Sequence, residues 1–342
     1  MKKFKKITAF VLALVLIFTL SACSGENDTN TDNASQEGAS AEPVILKLGT
    51  TVNEEDSFQI AAEKFAELVN ERTDGAYTIE IYPNGSLGDE RTMLESMQMD
   101  TLDMGIITSG PFSNFVPEMG VFDLPFLFAS NEDAYKVLDG EVGQELLGKL
   151  ETANLKGLAY AERGFRNLTN SKKAVVTADD AKGLKIRVME NEIYTKTFNS
   201  LGVNAVPMAW SEALTALQQS TIDGQENPVN VIYSFKLWES QKYVTMTRHA
   251  YASAIITMSL AEYNKLPENV QTIFKEAAQE AAEYEREWVA ANEESQMAAL
   301  TDNGMEIVTE PNLNSFKEAV QSVYDAYPQY ADYLNRIEET LK

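Results

Sequence analysis

Residues 183–228 read GLKIRVMENEIYTKTFNSLGVNAVPMAWSEALTALQQSTIDGQENP, and the patterns in this stretch decide the fold. Leu184, Ile186 and Val188 alternate with Lys185, Arg187 and Met189, the two-residue period of a β-strand. A helical pattern near 191–201 follows, then a strand from Asn204 to Met208, a helix capped by Ser211 with Leu214 and Leu217 on one face, and a strand from Ile222 to Glu226. Strands alternating with helices imply an α/β unit with mainly parallel sheet. The first strand also makes a demand, because Arg187 leaves by the face opposite the apolar one in a strand that should cross a protein interior. A guanidinium cannot shed its charge, and burial without a partner would cost several kcal/mol. Arg187 therefore either meets a resident carboxylate or lines a cleft and takes its anion from a ligand.

The same alternation occurs upstream. Val44 to Gly49 reads as a strand, Ser57 to Glu71 as a helix with Phe58, Ala61, Ala62, Phe65, Leu68 and Val69 apolar, Thr78 to Tyr82 as a strand, Asp89 to Asp100 as a helix with an acidic start, and Leu102 to Ile107 as a strand. Helical patterns at 131–139 and 141–154 precede an extended run from Leu155 to Thr169, long enough to pass between lobes. Tyr243 to Thr247 and Ala252 to Ser259 look like two return strands. Beyond Pro267 a helical pattern continues to about Asn303, with Val270, Ile273, Phe274, Ala277, Ala281, Tyr284 and Trp288 roughly on one side. The expectation is a two-lobed α/β fold with a ligand cleft between lobes and a long helix bracing both.

The chain of 342 residues has 52 Asp plus Glu against 28 Lys plus Arg, so nucleic acid is excluded as a partner by repulsion of its phosphates. The first 22 residues read as an export signal: lysines at the start, an apolar run from Ile7 to Leu20, then Ser21 and Ala22 before Cys23. Leu20-Ser21-Ala22-Cys23 is similar to a lipoprotein cleavage box, which makes Cys23, the chain's single cysteine, a lipidation site. Loss of the leader with its four lysines would take the formal charge from −24 to −28. Residues 24–43 are polar and nearly free of hydrophobes, the composition of a flexible tether. No metal or cofactor is expected: Asp28, Asn30 and Asp32 lack the glycine and the closing glutamate of a calcium loop, and no phosphate loop, nucleophile elbow or His-Glu-x-x-His motif occurs. His249 is the single histidine. Catalysis has little support.

Six stretches together identify a resemblance. They are Ile81-Tyr82-Pro83-Asn84-Gly85-Ser86-Leu87-Gly88, Thr101-Leu102-Asp103-Met104-Gly105, Asp123-Leu124-Pro125-Phe126-Leu127-Phe128, Gly164-Phe165-Arg166-Asn167, the strand around Arg187, and Asp223-Gly224-Gln225-Glu226-Asn227-Pro228. In this order they resemble the DctP-type solute-binding proteins of tripartite ATP-independent periplasmic (TRAP) transporters. The resemblance implies that Arg187 grips a substrate carboxylate through paired hydrogen bonds, that Arg166 is a second basic residue at the ligand, that Asn227 is an amide ligand, and that Trp210 packs on the substrate. Thr108 falls at a ligand-reaching position where sialic-acid binders are acidic; Ser57 and Thr51 are further candidates from the first lobe. A lobe I of 44–165 with about 250–295, and a lobe II of 166–249 with about 296–342, are expected. The implied ligand is a small organic acid, a C4-dicarboxylate or a sugar acid such as a uronate. The implied partner is a membrane permease driven by an ion gradient, with the receptor extracytoplasmic and anchored to the cell membrane by lipid. An ABC-type receptor and a secreted lyase or hydrolase are the competing readings.

Overall fold

The computed structural model describes residues 42–342; the export signal, Cys23 and the tether up to residue 41 lie outside the described residues. The first half contains β1 (Val44–Gly49), α1 (Ser57–Arg72), β2 (Tyr77–Tyr82), α2 (Glu90–Gln98), β3 (Met104–Thr108), α3 (Asn131–Leu138), α4 (Glu141–Lys149) and β4 (Leu155–Asn170). The second continues with α5 (Ala178–Ala181), β5 (Lys185–Val188), α6 (Glu192–Ser200), β6 (Asn204–Pro207), α7 (Trp210–Gln218), β7 (Gly224–Asn227) and α8 (Val229–Ser234). It closes with β8 (Tyr243–Ser259), α9 (Leu260–Lys265), α10 (Glu268–Asp302), β9 (Glu306–Val308), α11 (Leu313–Asp325) and α12 (Ala331–Leu341).

All strands of the described residues join one sheet in the order β2-β1-β3-β8-β4-β7-β5-β6, with β9 on β8. The outer pairings β1–β2, β1–β3, β5–β6 and β5–β7 are parallel, as strand–helix alternation requires. The centre differs from the expectation of a mainly parallel sheet: β4 pairs antiparallel with β7 and β8, and β8 antiparallel with β3. β4 and β8 are the two long strands, 16 and 17 residues, and they link the β1–β3 half to the β5–β7 half.

Two local expectations are corrected. The return strands are one continuous strand, β8, because β4 supplies hydrogen-bonding partners on both sides of Arg248 and His249. Ser211 does not cap α7; the helix starts at Trp210 with Ala209 at the N-cap and no side-chain cap. The Met208 N–H still bonds the Val188 carbonyl, so the chain stays extended through Met208 and must turn at Ala209.

Two helices cover the first half. Asp56 caps α1 by accepting from the Phe58 N–H, and the buried face of α1 (Phe58, Ala61, Phe65, Val69) packs with β1, β3 and α10 into one apolar cluster. α10 has 35 residues, a length of about 52 Å at 1.5 Å per residue, enough to brace both halves. Its buried face carries Ala277, Ala278, Ala281 and Ala282, small side chains that let it lie close to α1 and β4. A second cluster runs from Met93 and Leu94 on α2 to Val320 and Ile337 on the last helices.

An acidic pair is buried where α10 crosses β4. The Glu162 N–H donates to Glu285 Oε2 at 2.9 Å, and the Glu162 carboxyl receives Asn131 Nδ2 at 3.2 Å and the Tyr135 hydroxyl. Burial raises both acids, Glu162 to about 7 and Glu285 well above the ordinary range, against the opposing pull of Arg286. The folded state then holds protons that the unfolded chain has released, so Glu162 favours folding below about pH 4.5 and loses that contribution as pH rises to about 7. Melting curves of Glu162→Gln should vary less than wild type between pH 5 and 8, with a change in stability of up to about 3 kcal/mol removed. Parallel pH profiles would refute this.

Candidate functional site

The loops after β1, β3, β5 and β7 converge outside the carboxyl ends of those strands, where sheet proteins form pockets. Thr51 follows β1 and Thr108 ends β3; Met189 follows β5 and Asn227 ends β7. With Glu90 at the start of α2, Trp210 at the start of α7, and Arg163, Arg166 and Arg187, they line one cavity of about 20 Å³. Thr51 and Trp210 also belong to an outer groove of about 280 Å³ lined by Asn84, Asp89, Ser211, Leu214 and Phe235. These two residues therefore stand between an inner chamber and the cleft mouth.

Arg163 and Arg166 are three apart on β4, and a regular strand would point them to opposite faces. The β4–β8 register shifts between Glu162 and Gly164, and Gly164 has φ +103°, a left-handed conformation that suits glycine. This bulge inserts the extra residue that lets both side chains line the same cavity. Gly224 meets a different constraint: a Cβ there would sit 1.9 Å from the Thr169 carbonyl, so only glycine allows β7 to pair with β4 at that point.

The three arginines have different partners. Arg163 Nη1 reaches Asp56 Oδ1 at 2.6 Å. Arg166 is held by Glu226, with Nε to Oε2 at 2.5 Å, Nη2 to Oε1 at 2.9 Å and Nη2 to the Glu226 carbonyl at 2.6 Å. His249 Nε2 lies 3.1 Å from Glu226 Oε2, and its Nδ1 2.8 Å from Thr247 Oγ1. Burial by itself would raise the Glu226 carboxyl, but Arg166 and His249 override it and hold it down to about 2. Arg187 differs. It is 5 % exposed, makes no ion pair among the described residues, and spends one donor, Nε, on the Met208 carbonyl at 2.9 Å. Its guanidinium lies 5.4 Å from the Trp210 ring. Burial pushes it down to about 10, with Glu226 and Glu90 pulling the other way. The carboxylate partner that the sequence left open for Arg187 is not there, and the side chain faces a cavity.

Six of the seven expected positions, Arg187, Arg166, Asn227, Trp210, Thr108 and Thr51, meet around this cavity. Ser57 does not line it: as the first residue of α1 it is buried and its Oγ accepts from Asn230 Nδ2 at 3.0 Å. Asn227 Nδ2 donates to Gln225 Oε1. Arg163, Glu90 and Met189 are lining residues that sequence reasoning missed. Glu90 reads in sequence as an acidic helix start, which its position on α2 accounts for without a pocket. Arg163 needed the bulge, which leaves no mark beyond Gly164. Among the described residues no group of His, Cys, Asp and Glu is arranged to hold a metal ion, and no helix is long and apolar enough to cross a membrane.

The family model described as bacterial extracellular solute-binding protein, family 7 (DctP) matches residues 48–330. The 2,3-diketo-L-gulonate-binding periplasmic protein YiaO of Escherichia coli is 36% identical over 299 residues, 86% of this chain and 91% of that protein. The C4-dicarboxylate-binding periplasmic protein DctP of Rhodobacter capsulatus is 32% identical over 78% of this chain and 80% of its own length. Among solved structures, a TRAP periplasmic solute-binding protein from Polaromonas bound to D-erythronate superposes with a TM-score of 0.85 at 39% identity, covering 87% of this chain and 98% of that one.

Proposed function

The chain belongs to the DctP-type solute-binding proteins of TRAP transport, family 7 of the bacterial extracellular solute-binding proteins, and on that premise we propose that its inter-lobe cavity receives the carboxylate of a sugar acid on Arg187. The observation that carries this reading is a buried guanidinium without a carboxylate partner at a cavity wall. Its planar fork can give an incoming carboxylate two parallel hydrogen bonds. Arg166, its charge taken up by Glu226, contributes to the cavity wall as a fixed hydrogen-bonding group rather than as a free cation. Asn227 and Thr108 supply donors and acceptors for the rest of the guest. Trp210 packs against its carbon chain, and Thr51 closes the mouth from the first lobe. Ser57 acts at one remove, tying α1 to Asn230 on α8.

An inner chamber of about 20 Å³ admits a guest of this size only when the lobes part. Closure around it is favoured as far as the guest binds the closed form better. Lobe I comprises 44–165 with about 250–295, and lobe II 166–249 with about 296–342. The receptor is extracytoplasmic, returns the acid unchanged and hands it to an ion-driven TRAP permease. D-erythronate, D-galactonate and D-glucuronate titrated into the protein by calorimetry test the reading; saturable binding of at least one is expected, and no heat from any would overturn it. NMR of the same mixtures should find no turnover.

Lipidation of Cys23 would tether the receptor to the membrane through residues 24–43, a reach of roughly 25 Å for a flexible coil of this length. Cys23→Ala should move the protein from the membrane to the soluble fraction without altering affinity. A variant that still sediments with membranes would contradict the anchor.

A further inference from the structure

The charges around the cavity nearly cancel. Asp56 neutralises Arg163 and Glu226 neutralises Arg166. What remains is one guanidinium, Arg187, and one carboxylate, Glu90. Glu90 makes no ion pair among the described residues. Its Oε1 accepts the Thr108 N–H at 2.8 Å, and it is not needed to cap α2, because Asp89 already accepts the Thr92 N–H at 2.8 Å. Glu90 is close enough to raise both Arg187 and Arg166 electrostatically. The carboxylate therefore belongs to the cavity wall rather than to the helix terminus.

We propose that Glu90 makes the cavity a charge filter that takes monocarboxylates bearing hydroxyl groups and rejects dicarboxylates. The proposal rests on the receptor reading above and narrows its ligand class. One guest carboxylate is matched by Arg187. An ionised carboxylate is an acceptor only, so Glu90 can bind whatever else the guest offers only if that group donates, as a hydroxyl does. A second guest carboxylate has no guanidinium left, since Arg163 and Arg166 are already paired, and it meets Glu90 as a like charge inside a partly dehydrated chamber. The relatives include receptors named for both kinds of acid, so identity alone leaves the class open, and this charge count closes it.

D-erythronate and meso-tartrate differ only at C4, a hydroxymethyl group in one and a carboxylate in the other. D-galactonate and galactarate differ in the same way at C6. Calorimetric titration of the wild-type protein should find each monoacid bound on the order of 100-fold more tightly than its diacid, the size expected of an uncompensated like charge a few Å away. Glu90→Gln, which keeps shape and the acceptor for Thr108, should shrink that ratio to about tenfold or less, mainly by gain of the diacid. Wild-type protein that binds meso-tartrate as well as D-erythronate overturns the filter and leaves the receptor intact, as does an unchanged ratio in Glu90→Gln. If none of the four acids binds, the sugar-acid reading falls and the filter falls with it. If the variant fails to fold, wild-type protein that binds the diacids as tightly as the monoacids still overturns the filter.

Discussion

Arg187→Lys is expected to lose most of the affinity for a sugar acid, about 2–4 kcal/mol, although the charge is kept. The ammonium is a point charge on a flexible stem; it can satisfy one carboxylate oxygen but not both in one plane, and it forfeits the face that Arg187 sets against Trp210. Its own partner, the Met208 carbonyl, would compete for what donors remain. Titration with D-erythronate reads the loss directly, and an unchanged dissociation constant would remove Arg187 from the site. A companion variant separates binding from folding. Because Arg187 is buried without a counter-charge, Arg187→Met should abolish binding yet leave the ligand-free protein at least as stable as wild type, since replacing a buried, poorly compensated ion with an apolar side chain is often neutral or favourable. A structural arginine would give the opposite result, a fall in the melting temperature.

Glu226→Gln should have the largest effect on stability. Glu226 and Arg166 are 0 % and 1 % exposed at their side chains, and the amide leaves a guanidinium buried without its charge partner. Breaking one side of such a pair costs about 3–5 kcal/mol, a drop in melting temperature on the order of 10 °C for a domain of this size. The pH dependence carries a second signature. With its folded value held down to about 2, Glu226 contributes stability above about pH 4.5 and loses it as pH falls towards 2, so the wild type should weaken over that window and Glu226→Gln should weaken less. Melting curves between pH 2.5 and 7 test both points. A variant that melts with the wild type at neutral pH would mean that the pair is not worth its desolvation. The structure places Glu226 in two roles at once, because the same carboxylate that neutralises Arg166 also accepts from His249 and leaves Arg187 as the uncommitted cation of the cavity.

Much of this was legible in the chain. Alternating Leu184, Ile186 and Val188, the apolar stripe of α1 and the long pattern beyond Pro267 name their elements because each depends on residues within one or two turns or a few strand positions. Arg187, Arg166 and Asn227 stand in the stretches that carry the resemblance, Trp210, Thr108 and Thr51 outside them, and the fold brings all six candidates to one cavity. The continuous β8 was harder, because Arg248 and His249 interrupt its apolar pattern and only pairing with β4 keeps them in a strand. Ser57 looked like a ligand candidate and is instead a buried link to α8, a distinction made by Asn230, which lies 173 residues away.

Local sequence thus determined the α/β elements, their order and the presence of an arginine in a strand that had to be buried. Tertiary structure decided which arginine is free. Asp56 reaches Arg163 across 107 residues and Glu226 reaches Arg166 across 60. Charge neutralisation depends on distances of a few Å in space, which the chain sets only once it is folded.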